Sequence, residues 1–245
     1  FLDQLEPGSP AYNMPSAVRL RGPLDVAALR RAFHALGMRH EALRTTFPSV
    51  EGRAIQQISP SPRGTMATVD LSALAASSRE RELTRLAHAN ALAPFDLARG
   101  PLARLAVVVL DRSEAKEDAA LLVGLHHIVS DGWSMGIFVA ELSFLARRFS
   151  DGDANPLGSL PPLPIQYADY ALWQRGPEAA AMLDGQLEHW RLALADVPQR
   201  IELPSDRPRP ALLSTRGSSV AGRTEPQIAE RLAAFAREQG ATPFM

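Results

Sequence analysis

Apolar and polar residues alternate with a period of two over Ala17-Val18-Arg19-Leu20-Arg21, which predicts a half-buried strand closed by Gly22-Pro23. The period then becomes helical. Behind Asp25, which suits an N-cap, Val26, Leu29, Phe33 and Leu36 form one apolar stripe, so this segment is predicted to lie on a sheet. Val50-Glu51-Gly52-Arg53 carries a turn signal and predicts a hairpin between 45–49 and 54–59. Ser77 and Glu80 read as a capping box for a helix with Leu83, Leu86 and Ala87 inward, ended before Pro94. Residues 94–102 then read as a loop that tucks Phe95 and Leu97 into the core. Two apolar runs follow, 102–110 and 119–125, separated by a charged stretch. They predict a central antiparallel pair of strands joined by a solvated loop.

From Met135 the apolar positions Phe138, Leu142, Leu145 and Phe149 again follow a helix, and 151–164, rich in Gly, Pro and Asn, reads as a connector. Pro177 and Glu178 suit the start of another helix, with Leu183, Leu187, Trp190 and Leu194 on its predicted buried side. Prolines in 203–210 exclude a regular helix and mark the expected crossing between lobes. Residues 218–223 read as a strand. Thr224 and Gln227 read as the cap of a last helix that turns Ile228, Leu232 and Phe235 inward and ends at Gly240. The expected organisation is a first lobe over 1–176, a helix and crossing over 177–210, and the beginning of a second lobe over 211–245.

Chemistry concentrates where the second apolar strand meets the next helix, in Leu125-His126-His127-Ile128-Val129-Ser130-Asp131-Gly132-Trp133-Ser134. Successive strand side chains point to opposite faces, so His126 and His127 cannot both reach one cavity. Asp131 follows one loop later, beside the Gly132 backbone and the free N–H groups of a helix start, which can donate to developing negative charge. On these residues alone a structural reading stands level with a functional one, because buried histidine pairs and D-G turns are both common. Likewise Arg39-His40-Glu41-Ala42-Leu43-Arg44-Thr45-Thr46-Phe47 alone is a solvated helix end, and the aromatics of Tyr167-Ala168-Asp169-Tyr170-Ala171-Leu172-Trp173 are helix packing.

Composition narrows the classes. The 245 residues are 46% apolar and 22% charged, enough for one large or two modest globular domains. A net charge of −1 offers no footprint for nucleic acid or an anionic membrane, and no apolar run approaches the ~18 residues of a spanning helix. With no cysteine, disulfides, Cys-based zinc sites and a thiol nucleophile are excluded, and no metal site is read elsewhere. The chain begins at Phe1 without methionine or a signal-like segment and reads as a piece of a longer, cytoplasmic protein.

Taken as a string, H-H-x-x-x-D-G-W-S resembles the signature of the condensation domains of nonribosomal peptide synthetases, within the chloramphenicol-acetyltransferase-like acyltransferases. R-H-E-x-L-R-T-x-F, P-F-D-L-x-x-G-P-L, Y-x-D-Y-A-x-W and the D-R-P-R-P crossing resemble further motifs of that family in the same order, over essentially the whole chain. The resemblance implies an α/β (α+β) lobe with a mixed, largely antiparallel sheet packed by helices, plus a partial second lobe. It implies that His127 is catalytic, with His126, Asp131, Gly132, Trp133 and Ser134 supporting the active site. Arg44 or Arg39 is implied as the salt-bridge partner of Asp131, with Arg44 preferred, and Tyr167, Asp169 and Trp173 as structural.

The implied reaction is amide formation between a donor thioester and the amine of an acceptor aminoacyl thioester. Both ride on peptidyl carrier proteins through phosphopantetheine arms, next to further synthetase domains, in antibiotic-type secondary metabolism; the chain itself binds no cofactor. Residues 132–139 and Tyr12-Asn13-Met14-Pro15 look most like the subtype that takes an L-configured donor. An epimerization domain or another acyltransferase of the same fold, or a non-catalytic lobe that docks carriers, are the alternatives. A cyclization domain would carry aspartate in place of the histidine pair. The expected piece lacks family motifs on both sides, which would leave it truncated and inactive alone.

Overall fold

The computed structural model describes residues 2–113, 117–198, 204, 206–208 and 220–245. The chain divides after Pro198 into two compact units. In the first, α1 (Leu2–Leu5) leads into β1 (Asn13–Arg21) and α2 (Val26–Arg39). The short strands β2 (Thr45–Thr46), β3 (Ser49–Val50), β4 (Arg53–Ala54) and β5 (Gln57–Ile58) form two ribbons, β2 with β5 and β3 with β4. Then come β6 (Thr65–Asp70), α3 (Ala76–Leu92), β7 (Ala103–Asp111), β8 (Asp118–His126), α4 (Gly132–Ser150), α5 (Tyr167–Gln174) and α6 (Pro177–Ala193).

The main sheet has the order β1-β8-β7-β6, with β8 antiparallel to both neighbours and β6 parallel to β7. Parallel strands need a crossover, and α3 supplies it. The two apolar runs therefore do become the interior pair. The sequence did not announce β6, because it lies at the edge and its short Thr-Met-Ala-Thr-Val-Asp run carries no clean alternation.

Side-chain parity on β8 sorts the core into two layers. Leu121, Val123 and Leu125 pack with Leu29, Phe33 and Leu36 of α2 and with Phe138, Leu142 and Leu145 of α4. Ala120 and Leu122 face the other way, against Val108, Leu110, Leu71 and the α3 residues Leu83 and Leu86. Asp25 caps α2 as expected, accepting from the Ala28 amide at 2.8 Å. The Ser77–Glu80 box does not form: α3 begins after Ala75 with no side-chain cap, and Glu80 instead meets Arg19 at 2.9 Å.

The largest departure from expectation is α6. Leu183, Leu187, Trp190 and Leu194 are all exposed, and Ala179 is the buried residue of the helix. Helical spacing specifies a stripe, but burial requires a surface to lie against it. In the second unit, α7 (Pro226–Glu238) likewise exposes Ile228, Leu232 and Phe235. Its N-cap is Glu225 rather than Thr224, and Gly240, at φ 65°, ends it in the left-handed conformation that glycine permits. Half of the 203–210 crossing, and residues 218 and 219 of the expected strand, lie outside the described residues; 220–223 is not a strand.

Candidate active site

The His126–His127 junction is anchored on both sides. The His126 amide donates to Leu102 O at 3.0 Å and the His127 amide to Tyr12 O at 2.8 Å, so β8 stays tied to both neighbouring segments up to its last residue. Val129 N then closes a turn onto His126 O at 3.0 Å. Because the two side chains leave on opposite faces, His126 is buried (7% exposed) while His127 is exposed. His127 lines a cavity of about 450 Å³ on the α2–α4 side of the sheet, together with Leu36, Leu125, Ile137 and Phe138.

His126 Nδ1 accepts from the Ile128 amide at 3.1 Å, so the neutral ring carries its proton on Nε2. Burial pulls its pKa below the ordinary 6.5 and keeps the ring neutral. Phe95 meets it edge-on at 6.0 Å between ring centroids. Behind Phe95 stands Arg104, its guanidinium carbon 3.8 Å from the ring centre. Among the described residues no carboxylate pairs with this cation. Its donors go to Asn90 O at 2.9 Å, to Asn90 Oδ1 at 3.2 Å, to Pro94 O at 3.3 Å and to Ala93 O, the carbonyl end of α3, where a positive charge is favoured.

Gly124 makes room for that arrangement. A Cβ there would stand 3.0 Å from Arg104 Nε and 3.1 Å from its Cγ. The stack of Arg104, Phe95 and His126 was not anticipated from the sequence. Its signals were a glycine and an arginine, each inside an otherwise apolar strand.

Asp131 is the N-cap of α4. One carboxylate oxygen accepts from the Ser134 amide at 2.7 Å and from the Ser134 hydroxyl at 2.6 Å, and these bonds hold the exposed carboxyl below its ordinary pKa. Neither of the expected arginines is its partner. Arg39 Nε pairs with Glu141 at 3.1 Å, and Arg44 pairs with Glu41 at 3.2 Å and donates to Ser59 O. An exposed carboxylate at a helix N-terminus, already accepting two bonds, places no demand for a buried counter-charge. Gly132 has open space where a Cβ would be, and Trp133 is 84% exposed. Ser130 is buried, and its hydroxyl has no hydrogen-bond partner among the described residues.

The third aromatic motif packs on itself. Tyr170 lies 6.0 Å from Tyr167 and 5.6 Å from Trp173 between ring centroids, and all three are exposed. Asp169 accepts from the Gln166 amide at 2.8 Å. Gln166 in turn bridges Arg39 O and the Glu41 amide, at 2.9 and 3.1 Å, so the start of α5 is stitched to the end of α2. Tyr167 also lines the His127 cavity. Among the described residues no group of three metal-ligating side chains is formed, and no helix is long and apolar enough to cross a membrane.

The geometry thus defines an α/β lobe that mounts an accessible imidazole on a rigid strand end, beside a helix N-terminus and over a cavity. The family model for the condensation domain matches residues 1–245, and the chain belongs to that family. A linear gramicidin synthase polypeptide of Brevibacillus parabrevis is 42% identical over 245 residues, covering all of this chain and 5% of that protein. Phosphinothricin tripeptide synthetase PhsC of Streptomyces viridochromogenes is 41% identical over 246 residues, covering all of this chain and 22% of that protein.

Among solved structures, the X-domain from teicoplanin biosynthesis, in complex with OxyB, is 34% identical with a TM-score of 0.74, over 96% of this chain and 50% of that one. A four-domain nonribosomal peptide synthetase bound to AMP and glycine, holo-AB3403, shares the fold at 22% identity and a TM-score of 0.73, over 99% of this chain and 17% of that one. The chain thus spans half or less of these proteins. The fold is the chloramphenicol-acetyltransferase-like α/β class expected from the motifs. Condensation domains of nonribosomal peptide synthetases are acyltransferases that work on carrier-bound substrates.

Proposed function

We propose that this chain supplies the active-site histidine for peptide-bond formation in a nonribosomal peptide synthetase. The amine of an acceptor aminoacyl thioester attacks the carbonyl of a donor thioester. A C–N bond forms, the C–S bond breaks, and the amine proton ends on the departing thiol. Donor and acceptor arrive on the phosphopantetheine arms of peptidyl carrier proteins, and the donor is L-configured. The setting is a cytoplasmic, multidomain synthetase.

One observation carries this reading: His127 is the accessible member of the pair and opens on the cavity, while His126 is buried and bonded from below. His127 relays the proton or steadies the tetrahedral intermediate. Asp131 shapes the loop by capping α4, and Gly132 leaves space for the substrate. Tethering supplies effective concentration, so placement contributes to rate alongside proton transfer.

The test is His127→Ala in the complete synthetase with both carriers loaded. Amide product is expected to fall by about 10²-fold or more, in line with loss of a general acid–base group. Unchanged product formation would refute the assignment. A docking role has one supporting observation, the X-domain structure solved as a complex with OxyB. It predicts that His127→Ala leaves partner binding and product yield intact.

A further inference from the structure

A second imidazole lines the His127 cavity. His40 stands just beyond the end of α2, and its Nε2 is 2.7 Å from Glu141 Oε2 on α4. Glu141 is itself gripped by Arg39 Nε, at 3.1 and 3.3 Å to its two oxygens, and Arg39 donates onward to Pro161 O at 2.7 Å. Both side chains of the Arg39–Glu141 pair are largely buried. A carboxylate held by arginine only accepts, so His40 must turn Nε2–H toward it. In the neutral ring that choice fixes the tautomer and leaves Nδ1 as a bare lone pair.

His40 Nδ1 has no hydrogen-bond partner among the described residues and is not sealed from solvent. Meanwhile other polar groups around the cavity are spent. Asp131 and Ser134 bond to each other, Glu41 pairs with Arg44, and the Thr45 hydroxyl donates to Glu41 O. The two imidazoles are left to meet a ligand, beside the Gln56 amide and the Ser130 and Tyr167 hydroxyls. The His40 ring is also braced from three elements: its own amide bonds to Leu36 O on α2, its Nε2 to α4, and Gln166 at the head of α5 clasps the main chain on either side of it.

We propose that His40 is a substrate-positioning residue whose Nδ1 accepts a hydrogen bond from an N–H of the aminoacyl group that His127 acts on. The inference rests on the condensation reading and names a second contact in the same site. A neutral amine has two N–H bonds and one lone pair. With one N–H held by His40 and the other by His127, the lone pair is left free for attack on the thioester carbon. His40 and His127 line the same cavity, which is the shared space an aminoacyl group would enter to meet both rings. His40 gains and loses no proton in the reaction; it orients.

Two substitutions separate this role from a purely structural one. In His40→Gln the amide nitrogen replaces Nε2 and keeps the Glu141 bond while the cavity-facing nitrogen is lost. In His40→Asn an amide group replaces Nδ1 and the Glu141 bond is lost. Binding of alanyl aminopantetheine, with an amide in place of the thioester, is measured on the 245-residue chain by calorimetry and by imidazole ¹⁵N NMR. The expected results are a shift of His40 Nδ1 on saturation, about 10-fold weaker binding by His40→Gln at an unchanged melting temperature, and binding by His40→Asn within about threefold of wild type.

An unmoved Nδ1 signal, wild-type affinity in His40→Gln, or no binding of the probe by the wild-type chain would each overturn the inference. If His40→Gln does not fold, the wild-type Nδ1 signal decides. None of these outcomes touches the His127→Ala assay, so the two readings fail separately.

Discussion

Replacing Arg104 by methionine tests how the histidine pair is held. Methionine keeps most of the stem and removes the guanidinium. The loss has two parts. The guanidinium over Phe95, 3.8 Å from its centre, is a desolvated cation–π contact of about 1–2 kcal/mol. The second is the Asn90 carbonyl. Its helical partner four residues on would be Pro94, which has no N–H, so without Arg104 it is orphaned at about 1–3 kcal/mol. Ala93 O is spared, because Asn13 Nδ2 also donates to it at 2.8 Å. Against these losses stands relief from burying a charge, since burial disfavours the charged form of Arg104.

The balance is a destabilisation of about 2–3 kcal/mol, or about 5–10 °C in melting temperature for a chain of this size. Arg19→Met is the control. Arg19 forks onto Glu80 and Asp118, and its pKa is raised chiefly by the hydrogen bond to Asp118, yet the group lies in solvent at the sheet margin. It should cost less than about 1 kcal/mol. Urea unfolding of both variants measures the difference, and the ¹⁵N spectrum of His126 reports whether the ring stays neutral and bonded to Ile128. If Arg19→Met costs as much as Arg104→Met, or His126 is undisturbed in Arg104→Met, the supporting role of the stack is wrong.

Two further outcomes follow from the same junction. Ser130→Ala removes a buried hydroxyl that has no partner among the described residues, so the variant should be neutral or up to about 1 kcal/mol more stable; a loss of more than that in urea unfolding would show that the hydroxyl is satisfied. For His126 the folded pKa lies below the ordinary 6.5, because burial disfavours the charged ring. The unfolded chain therefore binds more protons in that interval, and stability present above pH 6.5 is lost as pH falls toward the folded value. His126→Gln should flatten this limb relative to wild type, and parallel stability curves between about pH 7.5 and 5 would exclude it.

Much of this protein was readable from periodicity and motif. The paired apolar strands, the α2 stripe behind Asp25, the α4 stripe from Phe138 to Leu145 and the opposite facing of His126 and His127 all follow from side-chain period, a local property of backbone geometry. The edge strand β6 did not follow, because a short, half-polar segment becomes a strand only when a crossover lays it beside β7. The exposed apolar stripe of α6 shows the same limit from the other side.

Partner choice was decided entirely in three dimensions. The family resemblance made Arg39 and Arg44 the expected partners for Asp131, but folding brought Glu141, 102 residues away, to Arg39 and left the carboxylate of Asp131 to its own helix. Likewise nothing in the strand pattern told that Arg104 would pass over Gly124 to reach Phe95. Local order along the chain dictates which way a side chain points; which charge or ring it meets there depends on segments that only the packed sheet and helices bring within a few ångströms.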